Sequence, residues 1–394
     1  MSLSCEPTTF RDRAAMRLNS ETFEVIALRG CGHVASLRLA GVDVNPLWEP
    51  PWPSLEPDDY NPDQHDAHYG LMEGKLLASI AGHSLCLNHF GGLSASETQA
   101  RGYFHGEASN LNWNVSQQSA HQEEASFVYG LELPEARLRF ERRLSIRPGE
   151  ATLYFKERFT NPQRIDTPLI CQQHVTLGPP FVEPGVTRVD LPAARGRTHP
   201  VPVGDADPLQ PDTDYHWPHA PLRDGGTSDA SLFSGRAPCS SLVSVLLECQ
   251  DNFAFMAASN AKLGLALVYI FPHDVFPWTA LWTENHAGQE VPWNGRAMAW
   301  GVEWGTTPFP LELMQILTAG PLFGRDRMGS LGARQTLEVN YQAQLLTIPS
   351  DWRGVARIEH RDGETILHEK DSERTVGAPS GWQVSAERAG IATV

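Results

Sequence analysis

The fold class predicted by this sequence is all-β: a large antiparallel β-sandwich with few and short helices. Three observations carry the expectation. Wherever the hydropathy has a clear period, that period is two. No stretch sustains apolar residues at i, i+3, i+4 and i+7. The connections are rich in Gly and Pro, of which the chain holds 33 and 30. With 394 residues, 41% hydrophobic and 20% charged, the chain can bury a large core. Sandwiches of roughly 200–250 residues and more occur as one domain, so a single domain over residues 1–394 is expected.

In chain order, "TFEVIAL" and "HVASLRLAGVDV" open the series of strand-like runs, and "ASFVYGLEL" continues it. Leu138, Phe140, Leu144 and Ile146 then alternate with Arg137, Arg139, Glu141, Arg143 and Ser145, one buried and one wet face. "RPGE" supplies a turn, and Leu153, Phe155 and Phe159 alternate with Tyr154, Lys156 and Arg158 on the way back, which predicts a hairpin. "SSLVSVLLEC", "FAFMAAS" and "LGLALVYIF" follow. Leu337, Val339, Tyr341, Ala343 and Leu345 alternate with polar residues in a last half-exposed strand. No repeat has a fixed period, which disfavours a propeller. Residues 46–70 and 184–238, dense in Pro, Asp and Gly, read as long irregular loops, of the kind that form either binding walls or plain surface excursions.

The 31 basic and 47 acidic residues leave a formal charge of -16, which argues against nucleic acid and anionic membranes as partners. Lysine occurs only at positions 75, 156, 262 and 370, so most positive charge is Arg. The six cysteines are scattered without a CxxC pair, the pattern of reduced thiols. The N-terminal residues lack an apolar core of signal-peptide length, and "LGLALVYIF" is too short to span a bilayer. A cytoplasmic protein, monomer or homodimer, is expected.

Three segments set an ionisable side chain beside strand residues and glycine: "GYFHGEAS" with His105, "PLICQQHVTLGPPF" with His174, and "WGVEWGTTPFP" with Glu303. An imidazole can protonate an oxygen near neutral pH and a carboxylate can accept a hydroxyl proton, so the set suffices for general acid/base chemistry. Taken singly, each residue reads more readily as a structural group, hydrogen-bonded for a His and ion-paired for Glu303. A second carboxylate, Glu284 in "WTALWTENHAG", lies on what reads as the preceding strand. Trp278, Trp282, Trp293, Trp300 and Trp304 offer either a stacking face for a sugar ring or core packing. Histidines at 65, 68, 83, 89, 216 and 219 raise a metal site as a rival, but there is no HExxH or HxH pair, and no metal is expected.

In their order along the chain these segments resemble the aldose 1-epimerase, or galactose mutarotase-like, family. "TFEVIALRGCGHVASLRLAGVDVNPLW" is similar to that family's first strands, "FHGE" to its His-Gly motif, "DTPLICQQHVTLGPPF" to the segment with the acid His, and "GVEWGTTPFP" to the strand with the base Glu. The resemblance implies the galactose mutarotase-like supersandwich and a cofactor-independent enzyme that interconverts the anomers of a free sugar. His174 would be the acid and Glu303 the base, with Glu284 as the alternative base. His105, Glu284, Trp282 and Arg101 would bind the small carbohydrate. For the family's sugar-binding aspartate, Asp214 and Asp251 are both candidates. A carbohydrate-binding protein without turnover, or a lyase or hydrolase on the same fold, are the competing readings. A hydrolase would need Glu284 and Glu303 to flank a glycosidic bond at roughly 5–9.5 Å.

Overall fold

The period-two segments are strands in the computed structural model, which describes residues 3–71, 73–99 and 102–391. Most of them join two large antiparallel sheets. The first has eleven strands, and its middle runs His83–Leu87, Cys171–Leu177, Met298–Gly305, Trp278–Asn285, Cys239–Leu247. The second has Phe253–Asn260, Leu265–Pro272, Gln335–Thr347, Thr152–Asn161, Leu138–Ile146 and Ala125–Leu133 as neighbours. Helices are few and short, the longest being Pro62–Tyr69 with Asn61 as its N-cap and Pro62 opening its first turn. Among the described residues no helix is long and apolar enough to cross a membrane.

The two sheets face each other across one hydrophobic core. Trp300, Val302 and Trp304 of the larger sheet meet Tyr269, Phe271, Tyr341 and Phe155 of the smaller. Trp304 lies parallel to Phe271 at 4.0 Å between ring centroids. Trp300 and Trp304 are therefore core residues, and Trp278 is buried in a separate cluster against Phe323. None of the three is free to stack on a sugar.

The predicted hairpin forms as Leu138–Ile146 and Thr152–Asn161, with Gly149 at φ +76° in the turn. Two residues outside the simple alternation explain themselves in the structure. Arg142 and Glu157 point inward, both fully buried, and form a 2.7 Å ion pair. Gln173 joins them: its amide donates to Glu157 Oε2 at 2.7 Å, and its Oε1 accepts from Arg142 at 3.2 Å. Tyr341 donates its hydroxyl to Glu157 at 2.7 Å, and His83 lies 2.9 Å from Gln173 Oε1. Buried charges persist only when paired and hydrogen-bonded, and this network meets that demand between the sheets.

Two expectations need correction. Ser145 and Tyr154, placed on the wet face of the hairpin, are buried. The strand over Leu337–Leu345 is not half-exposed: Gln342 and Gln344 are fully buried, because a third, three-stranded sheet covers that face. This sheet, Val355–Arg361, Glu364–Glu369 and Thr375–Pro379, packs Val355, Ile358 and Leu367 on Ala257, Val268, Ile270 and Leu346. Gln342 donates to Ser380 and Gln344 to the Pro379 carbonyl, which satisfies the covered side-chain N–H donors.

The stretches read as irregular are also more ordered than expected. Residues 46–70 carry the helix Pro62–Tyr69, and residues 184–238 contribute Ala193–Thr198 and Asp214–His216 to the edge of the eleven-stranded sheet.

Candidate active site

Strand alternation sends neighbouring residues to opposite faces, and on the central strands of the larger sheet it separates core from site. Gln173, Val175 and Leu177 face the smaller sheet, so Gln172, His174 and Thr176 face away from it. On the next strand Val302 and Trp304 enter the core and Gly301, Glu303 and Gly305 face away. The register sets His174 directly opposite Glu303. Ala280 is opposite Glu303 on the other side, which puts Trp282 and Glu284 further along the same face.

His174 and Glu303 are 4% and 2% exposed, and Nε2 of the imidazole lies 3.2 Å from Oε1 of the carboxylate. Burial pushes the Glu303 carboxyl up to about 8 and the His174 imidazole down to about 4. Neither group readily bears an isolated charge in this setting, so the pair holds one proton between Oε1 and Nε2 over a wide pH interval. The neutral pair and the carboxylate–imidazolium pair are tautomers related by proton transfer across the 3.2 Å contact.

Nδ1 of His174 lies 3.0 Å from Oγ1 of Thr176, two residues on and on the same face. In both one-proton forms Nδ1 carries a hydrogen, which the Thr176 hydroxyl accepts, so Nε2 is the atom left to exchange protons. Gly301 makes room for Glu303: a Cβ at 301 would overlap Oε1 of the carboxylate. The Glu303 backbone is held by Gln172, whose amide donates to the Glu303 carbonyl at 2.8 Å.

His105 reaches the same place from a loop. Its backbone has φ +60°, followed by Gly106 at φ +80°, a left-handed turn that aims the imidazole at His174. The two ring centroids are 5.1 Å apart. His105 Nδ1 donates to the Phe90 carbonyl at 2.6 Å, and burial holds the ring well below the ordinary histidine range, so it is neutral with Nε2 free to accept.

These residues line one pocket of about 410 Å³, within the range of small-molecule sites. His105, His174, Glu303, Glu284 and Trp282, all expected from the sequence, are brought together there. Arg101 lies outside the described residues. Asp214 and Asp251 do not line the pocket: Asp214 is exposed and paired with Arg197, and Asp251 is exposed in a loop. Glu284 bends toward its own turn, with Oε1 accepting from the Ala287 and Gly288 amides at 2.6 and 3.0 Å. It stands four residues along the strand from the position opposite Glu303, roughly 13 Å of extended chain. That offset and its bonded oxygen make Glu284 the weaker choice of base.

Sequence reasoning missed several members. Thr176 and Gly301 sit at i±2 of His174 and Glu303, so alternation alone could have found them. Trp48, Glu73, Phe104, His199 and Ser240 also line the pocket, and no local signal marks them. The other histidines do other work: His83 belongs to the core network, and His65 sits in the helix Pro62–Tyr69. Among the described residues no three His, Cys, Asp or Glu side chains converge as a metal site.

The fold is a large antiparallel β-sandwich with a buried His–Glu pair on the face of the main sheet turned away from the partner sheet. Several solved structures share this fold over most of the chain. A candidate aldose 1-epimerase from Klebsiella pneumoniae is 13% identical with a TM-score of 0.62, over 86% of this chain and 82% of that one. A galactose mutarotase-like protein from Clostridium acetobutylicum is 15% identical with a TM-score of 0.57, over 88% and 99%. A candidate mutarotase from Salmonella typhimurium is 12% identical with a TM-score of 0.52, over 87% and 94%. Identities this low establish the shared fold alone. No family model matches the chain, and no curated protein matches it.

Proposed function

We propose that this chain is an aldose 1-epimerase-like enzyme that interconverts the anomers of a free sugar by opening and reclosing its ring. The observation that carries the reading is the His174–Glu303 pair, facing each other at 3.2 Å at the base of an aromatic-walled pocket. The anomeric hydroxyl and the ring oxygen of a pyranose are bonded to the same carbon, so the reaction needs its acid and its base side by side.

In the carboxylate–imidazolium form, Glu303 takes the proton of the anomeric hydroxyl while His174 Nε2 gives its proton to the ring oxygen. The bond between the anomeric carbon and the ring oxygen breaks, its electron pair stays on the ring oxygen, and a carbonyl forms. The open-chain complex then leaves Glu303 protonated and His174 neutral, the tautomer that burial favours. Rotation about the bond to the carbonyl carbon and reversal of both transfers give the other anomer and restore the pair. His105, neutral and accepting through Nε2, would orient a neighbouring hydroxyl, and the half-buried Trp282 would supply an apolar wall. The proton count closes without a cofactor. Polarimetry of freshly dissolved aldoses tests the reading: equilibration faster than in buffer supports it, and an unchanged rate over a broad panel contradicts it.

A further inference from the structure

Beyond the acid/base pair itself, the pocket lining has a composition that ring opening does not require. Ser240 and Glu284 are cross-strand partners in the register, 7% and 4% exposed, and both line the cavity. The Ser240 hydroxyl belongs to a residue that is more than nine-tenths buried and lines the cavity. Glu284 uses Oε1 on the Ala287 and Gly288 amides and keeps Oε2 for the cavity. Glu73, the residue before the helix Gly74–Ser79, adds a second carboxylate with no cationic partner among the described residues. Burial pushes both carboxyls above the ordinary range.

Aromatic rings share the pocket lining with these groups. Trp282 and Trp293 meet edge to face at 5.8 Å between centroids and form a corner. Trp293 is stacked on Trp48 at 5.9 Å, which holds its ring in place. Two carboxylates and a hydroxyl beside a fixed aromatic corner supply what a desolvated ammonium needs: acceptors for its three hydrogens, negative charge to offset its own, and ring faces for cation–π attraction. A neutral hydroxyl would use the hydrogen bonds but bring no positive charge to carboxylates that have no Lys or Arg partner among the described residues.

Resting on the reading of the site as an aldose pocket, we infer that the ligand is an amino sugar whose ammonium group, on a carbon remote from the anomeric centre, is held by Glu73, Ser240 and Glu284 in the Trp282–Trp293 corner. The remote position follows from the strand offset. Glu284 lies four residues along from the position opposite Glu303, too far for an amino group on the carbon next to the anomeric one.

Binding measured by calorimetry at pH 7 tests this without relying on turnover. The probes are 6-amino-6-deoxyglucose, 2-amino-2-deoxyglucose and glucose, titrated into the full chain. The expected result is at least tenfold tighter binding of the 6-amino sugar than of the other two. Glu73→Gln and, separately, Glu284→Gln should each erase most of that preference. Glutamine at 284 keeps an oxygen for the two turn amides, and the Glu73 variant leaves that turn untouched. Equal or weaker binding of the 6-amino sugar overturns the inference, as does a preference that survives both substitutions. If glucose anomers exchange faster in its presence but no ammonium preference is found, this inference fails while the epimerase reading stands. If the preference is found without anomer exchange, the epimerase reading fails alone.

Discussion

His174 and Glu303 stand opposite one another on adjacent antiparallel strands, with Nε2 of the imidazole 3.2 Å from Oε1 of the carboxylate. Being partners in the register, they depend on no loop for their alignment. The strands that hold them are backed by the core through Val175, Val302 and Trp304, and by the Arg142–Glu157–Gln173 network. A site built this way is positioned by packed central strands, while the residues that would select the ligand come from several surrounding elements.

The shared proton predicts the pH dependence. Below about 4 both His174 and Glu303 are protonated and no base is left; above about 8 both have lost the proton and no acid is left. The kcat/KM for anomer exchange should therefore follow a bell with limbs near those values. A pH series of exchange rates checks this, and a profile limited by a single group would contradict a shared proton.

Thr176→Val removes the acceptor for His174 Nδ1–H and leaves that hydrogen buried without a partner. Turnover should fall about 10–100-fold, as for other lost orienting bonds to histidine. The acidic limb should also move to lower pH, because the imidazolium loses a stabilising contact. Thr176→Ser keeps the hydroxyl and should restore both the rate and the limb.

Gly301→Ala places a methyl group where Oε1 of Glu303 now sits. The fold should survive, as judged by circular dichroism, while exchange drops about a hundredfold through displacement of the carboxylate. Wild-type activity in this variant would show that the carboxylate position does not matter.

Arg142→Met breaks the fully buried ion pair and strands the Glu157 charge between the sheets. Urea unfolding should show a loss of about 3–5 kcal/mol. Adding Glu157→Leu should recover a large part of it, since the orphaned charge is then gone. A single-variant loss below about 1 kcal/mol would mean the network contributes little.

Much of this was legible in the sequence, for reasons that can be named. Period-two patterning exposes a half-buried strand, so the Leu138–Ile146 hairpin could be read directly. The same pattern held information left unused: Arg142 and Glu157 fall on the inward face, and each is the other's partner. Alternation says nothing about what covers a strand's second face, which is why Gln342 and Gln344 read as exposed. The order of His105, His174 and Glu303 pointed to a common site, and they do meet in one pocket. Glu73 and Ser240 could not be found this way, because nothing near them in the chain relates a helix start and a distant strand to the same cavity.

The central claim is that His174 and Glu303 together open the sugar ring. Magnetisation-exchange NMR between the two anomeric protons of a free aldose measures that step directly, with wild type, Glu303→Gln and His174→Asn compared over a panel of sugars. The account predicts exchange well above the buffer rate for the wild type on at least one sugar. It predicts a loss of about a hundred- to ten-thousand-fold in each variant. Wild-type exchange rates in both variants would contradict it.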